Sequence, residues 1–284
     1  MSRIVYVNGD YVAEEDAKIS IFDRGFLFAD GVYEVSSVLD GKLVDNAAHL
    51  ARLERSLGEL SMAPPASGDE ITAIQKELIA RNGLREGVVY LQVTRGAADR
   101  DFNFPKDPVS SLVMFTQVKN ILANPAAEKG ISVVTLPDIR WQRRDIKTVG
   151  LLPASMAKQA AKDQGADDAW MVEDGHITEG TSNNAFIVTD DGTIITRQLS
   201  NSILHGITRK AVLKVAEDAG LTLVERAFTP EEAYEAREAF STSASSFVMP
   251  VIKIDDHILG NGVPGPISQK VRALYIEEAI AAAV

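Results

Sequence analysis

Cysteine is missing from all 284 residues, which excludes disulfides and thiolate metal sites. Histidine is scarce. His49, His176, His205 and His257 never fall at i, i+4 spacing, which argues against a zinc site. Positive charge is in deficit, with 29 Lys and Arg against 40 Asp and Glu, a formal net charge of -11. That balance argues against a nucleic-acid or anionic-membrane partner and says little else, since acidity of this size mainly serves solubility. No apolar run reaches 18 residues, and the opening Ser-Arg-Ile-Val-Tyr-Val-Asn-Gly-Asp has no signal-peptide apolar segment. A soluble, cytoplasmic protein is therefore the expectation. Internal repeats and low-complexity tracts are absent as well.

What is present is ordinary globular composition, 45% apolar and 24% charged, enough for one large domain or two smaller ones. Asn8-Gly9-Asp10 between two apolar segments and Asp40-Gly41 after 31–39 are hairpin signals. Apolar residues at 50, 53, 57 and 60 predict a helix over 47–60. Ser67-Gly68-Asp69-Glu70 is a capping box for a helix over 71–81, stopped by Asn82-Gly83. Strands follow at 88–94 and 111–116. Adjacent hairpins give an antiparallel or mixed sheet and disfavour a purely parallel, doubly wound one.

The run 119–125 reads as a linker, so the expected division is a smaller N-terminal α/β domain (1–118) and a larger C-terminal domain (126–284). The second part predicts strands at 131–136, 169–172, 185–188, 193–196 and 239–241. Its predicted helices are 153–163, 207–219 and 268–281.

Two residues stand out for chemistry. Lys147 ends the run Asp138-Ile139-Arg140-Trp141-Gln142-Arg143-Arg144-Asp145-Ile146-Lys147, and Glu179 opens Glu179-Gly180-Thr181-Ser182-Asn183-Asn184. A lysine and a carboxylate in such segments suit pyridoxal 5'-phosphate (PLP). The amine forms a Schiff base with the aldehyde, and the carboxylate keeps the pyridine nitrogen protonated. Proton transfer by Lys147 needs a neutral amine near pH 7, which burial or the neighbouring Arg140, Arg143 and Arg144 would favour.

Six short segments occur in order: Asp30-Gly31-Val32-Tyr33-Glu34, His49-Leu50-Ala51-Arg52-Leu53, Val93-Thr94-Arg95-Gly96, Asp145-Ile146-Lys147, Thr178-Glu179-Gly180-Thr181-Ser182-Asn183 and Gly206-Ile207-Thr208-Arg209. With them the sequence resembles the fold-type IV PLP enzymes, most of all their D-amino acid aminotransferase branch. The resemblance implies an α/β fold of two domains with mixed or antiparallel sheets, PLP between them, and a homodimer with residues of the neighbouring subunit near the active site.

It also implies roles. Lys147 is the Schiff-base lysine and Glu179 the partner of the ring nitrogen. Arg52 binds phosphate as a bidentate pair, the alternative being an exposed helical arginine. The N–H groups of Ile207 and Thr208 face the phosphate at a helix start, the alternative being an ordinary threonine there. Leu204 packs on the ring, or is a plain core leucine. A threonine usual near Phe240-Ser241-Thr242-Ser243-Ala244 is Ala244 here, leaving Ser243 as the nearest hydroxyl. The substrate carboxylate meets Tyr33 and Arg100, unless Arg100 pairs with Asp99 or Asp101. The histidine of that trap is Phe102 here, which removes a donor and adds apolar surface. Trp141 shapes the pocket mouth or sits in the core. His49 either supports the site or is a satisfied helix histidine, the second being expected.

The implied activity is a ping-pong, Schiff-base transfer of an amino group from a D-amino acid (D-alanine or D-glutamate class) to a 2-oxo acid. An (R)-selective amine transaminase, a branched-chain aminotransferase and a 4-amino-4-deoxychorismate lyase share the same elements. A non-catalytic PLP- or metabolite-binding protein would have no need of both Lys147 and Glu179.

Overall fold

A computed structural model describes residues 2–284, in two compact units. The first holds residues up to Asn120 together with Ile146–Gly150 and Ala282–Val284; the second holds Ile121–Asp145 and Leu151–Ala281. The chain crosses after Asn120, and Pro125 opens a short helix where the sequence reads as linker. The return at 146–150 has no counterpart in the sequence reading. It groups Lys147 with the first unit, whereas a linear division puts it in the 126–284 domain.

The first unit runs β1 (Ile4–Val7), β2 (Asp10–Ala13), α1 (Arg24–Phe28), β3 (Gly31–Leu39), β4 (Lys42–Leu43), α2 (Asn46–Glu59), α3 (Gly68–Arg81), β5 (Glu86–Thr94) and β6 (Ser111–Val118). Its six strands lie in the order β2-β1-β6-β5-β3-β4, every pair antiparallel. Asn8 (φ 49) with Gly9 (φ 110), and Asp40 (φ 50) with Gly41 (φ 76), take the left-handed conformations that two-residue hairpins require. The capping box of α3 forms as the sequence predicts, with Ser67 and Glu70 satisfying each other's backbone.

Strand alternation then sorts the faces. Val32, Leu91, Val93, Leu112 and Met114 pack on Leu53 and Leu57 of α2 and Ile71 and Leu78 of α3. On the other face Tyr33 stacks on Tyr90 (5.6 Å between centroids) and Tyr90 on Phe115 (4.7 Å).

The second unit runs α4 (Pro125–Lys129), β7 (Ile131–Pro137), α5 (Leu152–Asp163), β8 (Asp168–Glu173), β9 (His176–Gly180), β10 (Asn184–Val188), β11 (Ile194–Thr196), α6 (Ile207–Asp218), β12 (Leu223–Glu225), α7 (Pro230–Tyr234), β13 (Glu238–Ser243), β14 (Phe247–Ile254), β15 (His257–Ile258) and α8 (Pro266–Ala282). Its sheet follows β12-β11-β10-β13-β14-β7-β8-β9, with β15 added to β14. The pairs β11–β12, β14–β7 and β7–β8 are parallel and the others antiparallel, so the sheet is mixed. Trp170, Ile177, Ala185, Ile187, Phe228, Ala239 and Val251 form its core.

Four strands were not read from the sequence, β9, β12, β14 and β15, and the two longer ones show why. His176–Gly180 is mostly polar, yet four of its five residues are buried because their polar groups find partners. Phe247–Ile254 contains Pro250, which has no N–H for the ladder, yet the strand carries it in register opposite Phe240 of β13; its irregularity comes further on, between Val251 and Lys253 against β7.

Glu238, buried at the start of β13, accepts from the backbone N–H of Ile267 (3.1 Å) and Ser268 (2.9 Å) in the first turn of α8. These donors have no intrahelical partner, and the carboxylate also faces the positive end of the helix dipole. Glu238→Ala is expected to cost about 1–2 kcal/mol in urea denaturation. An unchanged midpoint would show that the carboxylate does not hold α8.

Candidate active site

Each unit carries its own group of candidate residues. In the first, Ile146 is buried in the core, and the segment it anchors pairs antiparallel with the start of β3. The N–H of Tyr33 donates to the carbonyl of Lys147 (3.0 Å) and that of Val149 to Gly31 (3.0 Å). Lys147 is thereby fixed beside Tyr33, and its Nζ lies 4.2 Å from the centroid of that ring. The aromatic face steadies the amine without a counter-ion, and Lys147 has no ion pair among the described residues.

Glu34 follows Tyr33 and therefore points to the opposite face of β3, toward α2. There its carboxylate takes Nε of Arg52 at 2.7 Å, Nη2 of Arg52 at 2.8 Å and Nδ1 of His49 at 2.7 Å. All three residues are buried. Burial works to raise the Glu34 carboxyl, but Arg52 and the hydrogen bonds from Arg52 and His49 outweigh it and hold the group down at about 2. His49 is thus satisfied, as expected, while also helping to orient the carboxylate that holds Arg52. The bidentate edge of Arg52, expected to face a phosphate, is aimed at Glu34 instead.

Arg100 is exposed and makes no ion pair with Asp99 or Asp101 among the described residues; its guanidinium lies near the rings of Phe28 and Phe102 instead. Trp141 is exposed as well, which removes the core reading for that residue.

In the second unit Glu179 lies on β9, fully buried. Its Oε1 accepts from Arg140 (2.6 Å), and its Oε2 accepts from the side-chain amide of Asn184 (2.9 Å) and the backbone N–H of Leu204 (3.0 Å). Burial holds the Glu179 carboxyl above its ordinary value even though Arg140 and the hydrogen bonds oppose it. Three donors surround a group that can only accept when ionised, so the carboxylate form is the one this geometry holds.

Arg140 also bonds Asp138, Arg143 bonds Asp145, and Arg144 holds Glu173 through two 2.7 Å contacts. The arginine-rich run is therefore neutralised and does not form the cationic surroundings expected for Lys147.

Leu204 ties the same cluster together through its backbone, its carbonyl accepting from Asn184 at 3.0 Å. Gly206 then precedes α6, whose first residues are Ile207 and Thr208 and whose N-terminus has no side-chain cap. A Cβ on Gly206 would lie 2.1 Å from Oδ1 of Asn184, so only glycine fits. Across the ladder Asn184 faces Thr242, whose buried hydroxyl has no hydrogen-bond partner. Ser243 ends β13, with its hydroxyl 2.7 Å from that of Ser246. Sequence reasoning assigned no role to Glu34 or Asn184, and gave Arg140 only as part of a cationic run beside Lys147, not as the partner of Glu179. Each lies within a segment it did single out, but their pairings join residues up to 39 positions apart.

The profile of the Amino-transferase class IV family matches residues 31–254. The chain belongs to the class IV aminotransferases. This aminotransferase is 35% identical to the D-alanine aminotransferase of Staphylococcus haemolyticus over 94% of its own length and 95% of that protein's. It is 37% identical to the D-alanine aminotransferase of Bacillus licheniformis, with 94% of each chain covered. Among solved structures, a T.th. branched-chain amino acid aminotransferase complexed with N-(5'-phosphopyridoxyl)-L-glutamate matches with a TM-score of 0.90 at 27% identity. That match covers 99% of this chain and 95% of the other.

PLP is the cofactor of these enzymes, and the residues of this chain fit it. An ionised buried carboxylate suits a protonated ring nitrogen, an amine without a counter-ion suits an aldehyde, and an uncapped helix start near an unpartnered hydroxyl suits a phosphate.

The Glu34 cluster sets an acid limit. Its carboxyl sits near 2 in the fold against 4.5 ordinarily, so its contribution is complete above pH 4.5 and is lost as pH falls toward 2. Glu34→Gln is expected to cost about 3 kcal/mol at pH 7 and to flatten stability between pH 4.5 and 2, read by denaturation across that range. An acid limb identical to wild type would count against the assignment.

Proposed function

We propose that this PLP-dependent aminotransferase moves an amino group from a D-amino acid of the D-alanine or D-glutamate class to a 2-oxo acid, both half-reactions using one site. Glu179 carries the mechanistic part: a buried carboxylate held ionised by three donors is matched to a cationic ring nitrogen. Two D-alanine aminotransferases at 35% and 37% identity support the substrate class. The T.th. structure supports a second reading, branched-chain amino acids, at lower identity.

When bound, PLP supplies an aldehyde for the amine and a ring that withdraws electrons from the substrate Cα. Lys147 would be the amine that holds the cofactor through its aldehyde, and as a free amine it would move the proton at the substrate Cα. Tyr33 holds that amine in place. Glu179 keeps the ring nitrogen charged, and Arg140 and Asn184 keep Glu179 charged. Arg52, steadied by Glu34, and the N–H groups of Ile207 and Thr208 hold the phosphate, with Ser243 as a further donor. Leu204 packs on the ring, and Arg100 with Tyr33 binds the substrate carboxylate.

A cytoplasmic homodimer completes this reading. Ile21, Phe22 and Phe26 in the first unit are exposed apolar residues of the kind an interface covers.

Lys147→Ala is expected to abolish turnover of D-alanine with 2-oxoglutarate and to remove the visible absorbance band of the bound cofactor. Glu179→Gln should keep the band and lose at least about a hundredfold in kcat. A panel of D-amino acids, L-branched-chain amino acids and (R)-1-phenylethylamine, each with pyruvate and 2-oxoglutarate, checks the substrate class. Turnover of L-leucine without D-alanine would replace this reading with the branched-chain one.

A further inference from the structure

Three arginines and three phenylalanines of the first unit alternate in space. The guanidinium of Arg95 lies 3.7 Å from the centroid of the Phe104 ring, and that of Arg24 lies 5.7 Å from the same ring and 4.5 Å from Phe28. Arg100 follows, 5.4 Å from Phe28 and 5.6 Å from Phe102. Phe28 and Phe102 also meet edge to face at 5.6 Å. The inner end is anchored, since Asp30 accepts from both Arg24 (2.7 Å) and Arg95 (2.8 Å), and both arginines are buried. Arg24 also donates to the carbonyl of Asp101 at 2.6 Å, which ties down the backbone between Arg100 and Phe102. The outer end is open, with Phe102 80% exposed.

The acids beside Arg100 do not neutralise it. Asp101 spends its carboxylate on the backbone N–H of Asn103 at 2.9 Å, and Asp99 makes no contact with Arg100 among the described residues. An arginine can be held by a counter-ion, which cancels its charge, or by aromatic faces, which leave its N–H edge charged and open to a planar anion.

We propose that Phe28 and Phe102 are positioning residues for Arg100, holding its guanidinium against two rings so that it meets a substrate carboxylate unneutralised. The inference rests on Arg100 as the carboxylate contact in the function proposed above. Phe102 then steadies Arg100 with a ring that does not titrate. The site should favour amines that carry a carboxylate.

The test uses the holoenzyme and its Phe102→Leu, Phe102→Tyr and Arg100→Ala variants. KM and kcat are measured for D-alanine and pyruvate. D-alaninol, an amine without a carboxylate, is titrated by its effect on the cofactor absorbance. Phe102→Leu is expected to raise KM for D-alanine and pyruvate about two- to fivefold, with kcat nearly unchanged and D-alaninol binding unaltered. Phe102→Tyr, which keeps the ring, should restore wild-type KM.

If Arg100→Ala raises KM at least about tenfold while Phe102→Leu does nothing, the positioning role is overturned and the Arg100 assignment stands. If Arg100→Ala leaves KM unchanged, the Arg100 assignment itself fails. Equal losses for D-alanine and D-alaninol in Phe102→Leu would reduce Phe102 to a structural role and overturn the proposal.

Discussion

A buried carboxylate must be matched donor by donor, and this requirement organises the second unit around Glu179. A charge removed from water costs several kcal/mol unless fixed dipoles and opposite charges replace the lost solvent. Arg140, Asn184 and the N–H of Leu204 supply that replacement. Each donor is itself constrained: Arg140 by Asp138, Asn184 by the carbonyl of Leu204, and Leu204 by the turn into α6. The loop before α6 is therefore locked to β9 and β10 by the group that needs an exact electrostatic environment, and the helix start follows from it.

The first unit meets the same requirement in a different way. Glu34 sits on the core face of β3 with Arg52 and His49 reaching it from α2, so a helix-to-sheet contact is partly ionic inside an apolar core. Strand alternation separates the duties: Tyr33 presents its ring to Lys147, and Glu34, one residue on, secures Arg52 behind the sheet. A one-residue slip of β3 would exchange the two side chains and ruin both arrangements.

The sequence disclosed those features that are local. Hairpin dipeptides, the capping box at Ser67 and the periodicity of α2 all depend on neighbours a few positions away, and the structure has them where they were read. The partners of the charged residues were hidden. Nothing near Arg140 in the chain indicates Glu179, and an arginine-rich run reads as positive until its acids at 138, 145, 173 and 179 are brought in by the fold. The strand 176–180 escaped notice because its burial rests on hydrogen bonds and not on apolar side chains, so no hydrophobic pattern marks it. Pro250 concealed β14 for a different reason: a proline reads as a strand breaker, yet here it sits in register opposite Phe240 of β13.

The crossing at Ile146–Gly150 has a consequence for how the polypeptide can be divided. The hydrogen bonds that set the register of Lys147 come from Gly31 and Tyr33, more than a hundred positions upstream. A chain cut after Asn120 would leave the lysine on one fragment and its alignment on the other. The C-terminal fragment would keep Glu179 and its donors yet hold Lys147 on an untethered stretch. Gene fission at the most obvious seam would separate Lys147 from the strand that sets its register.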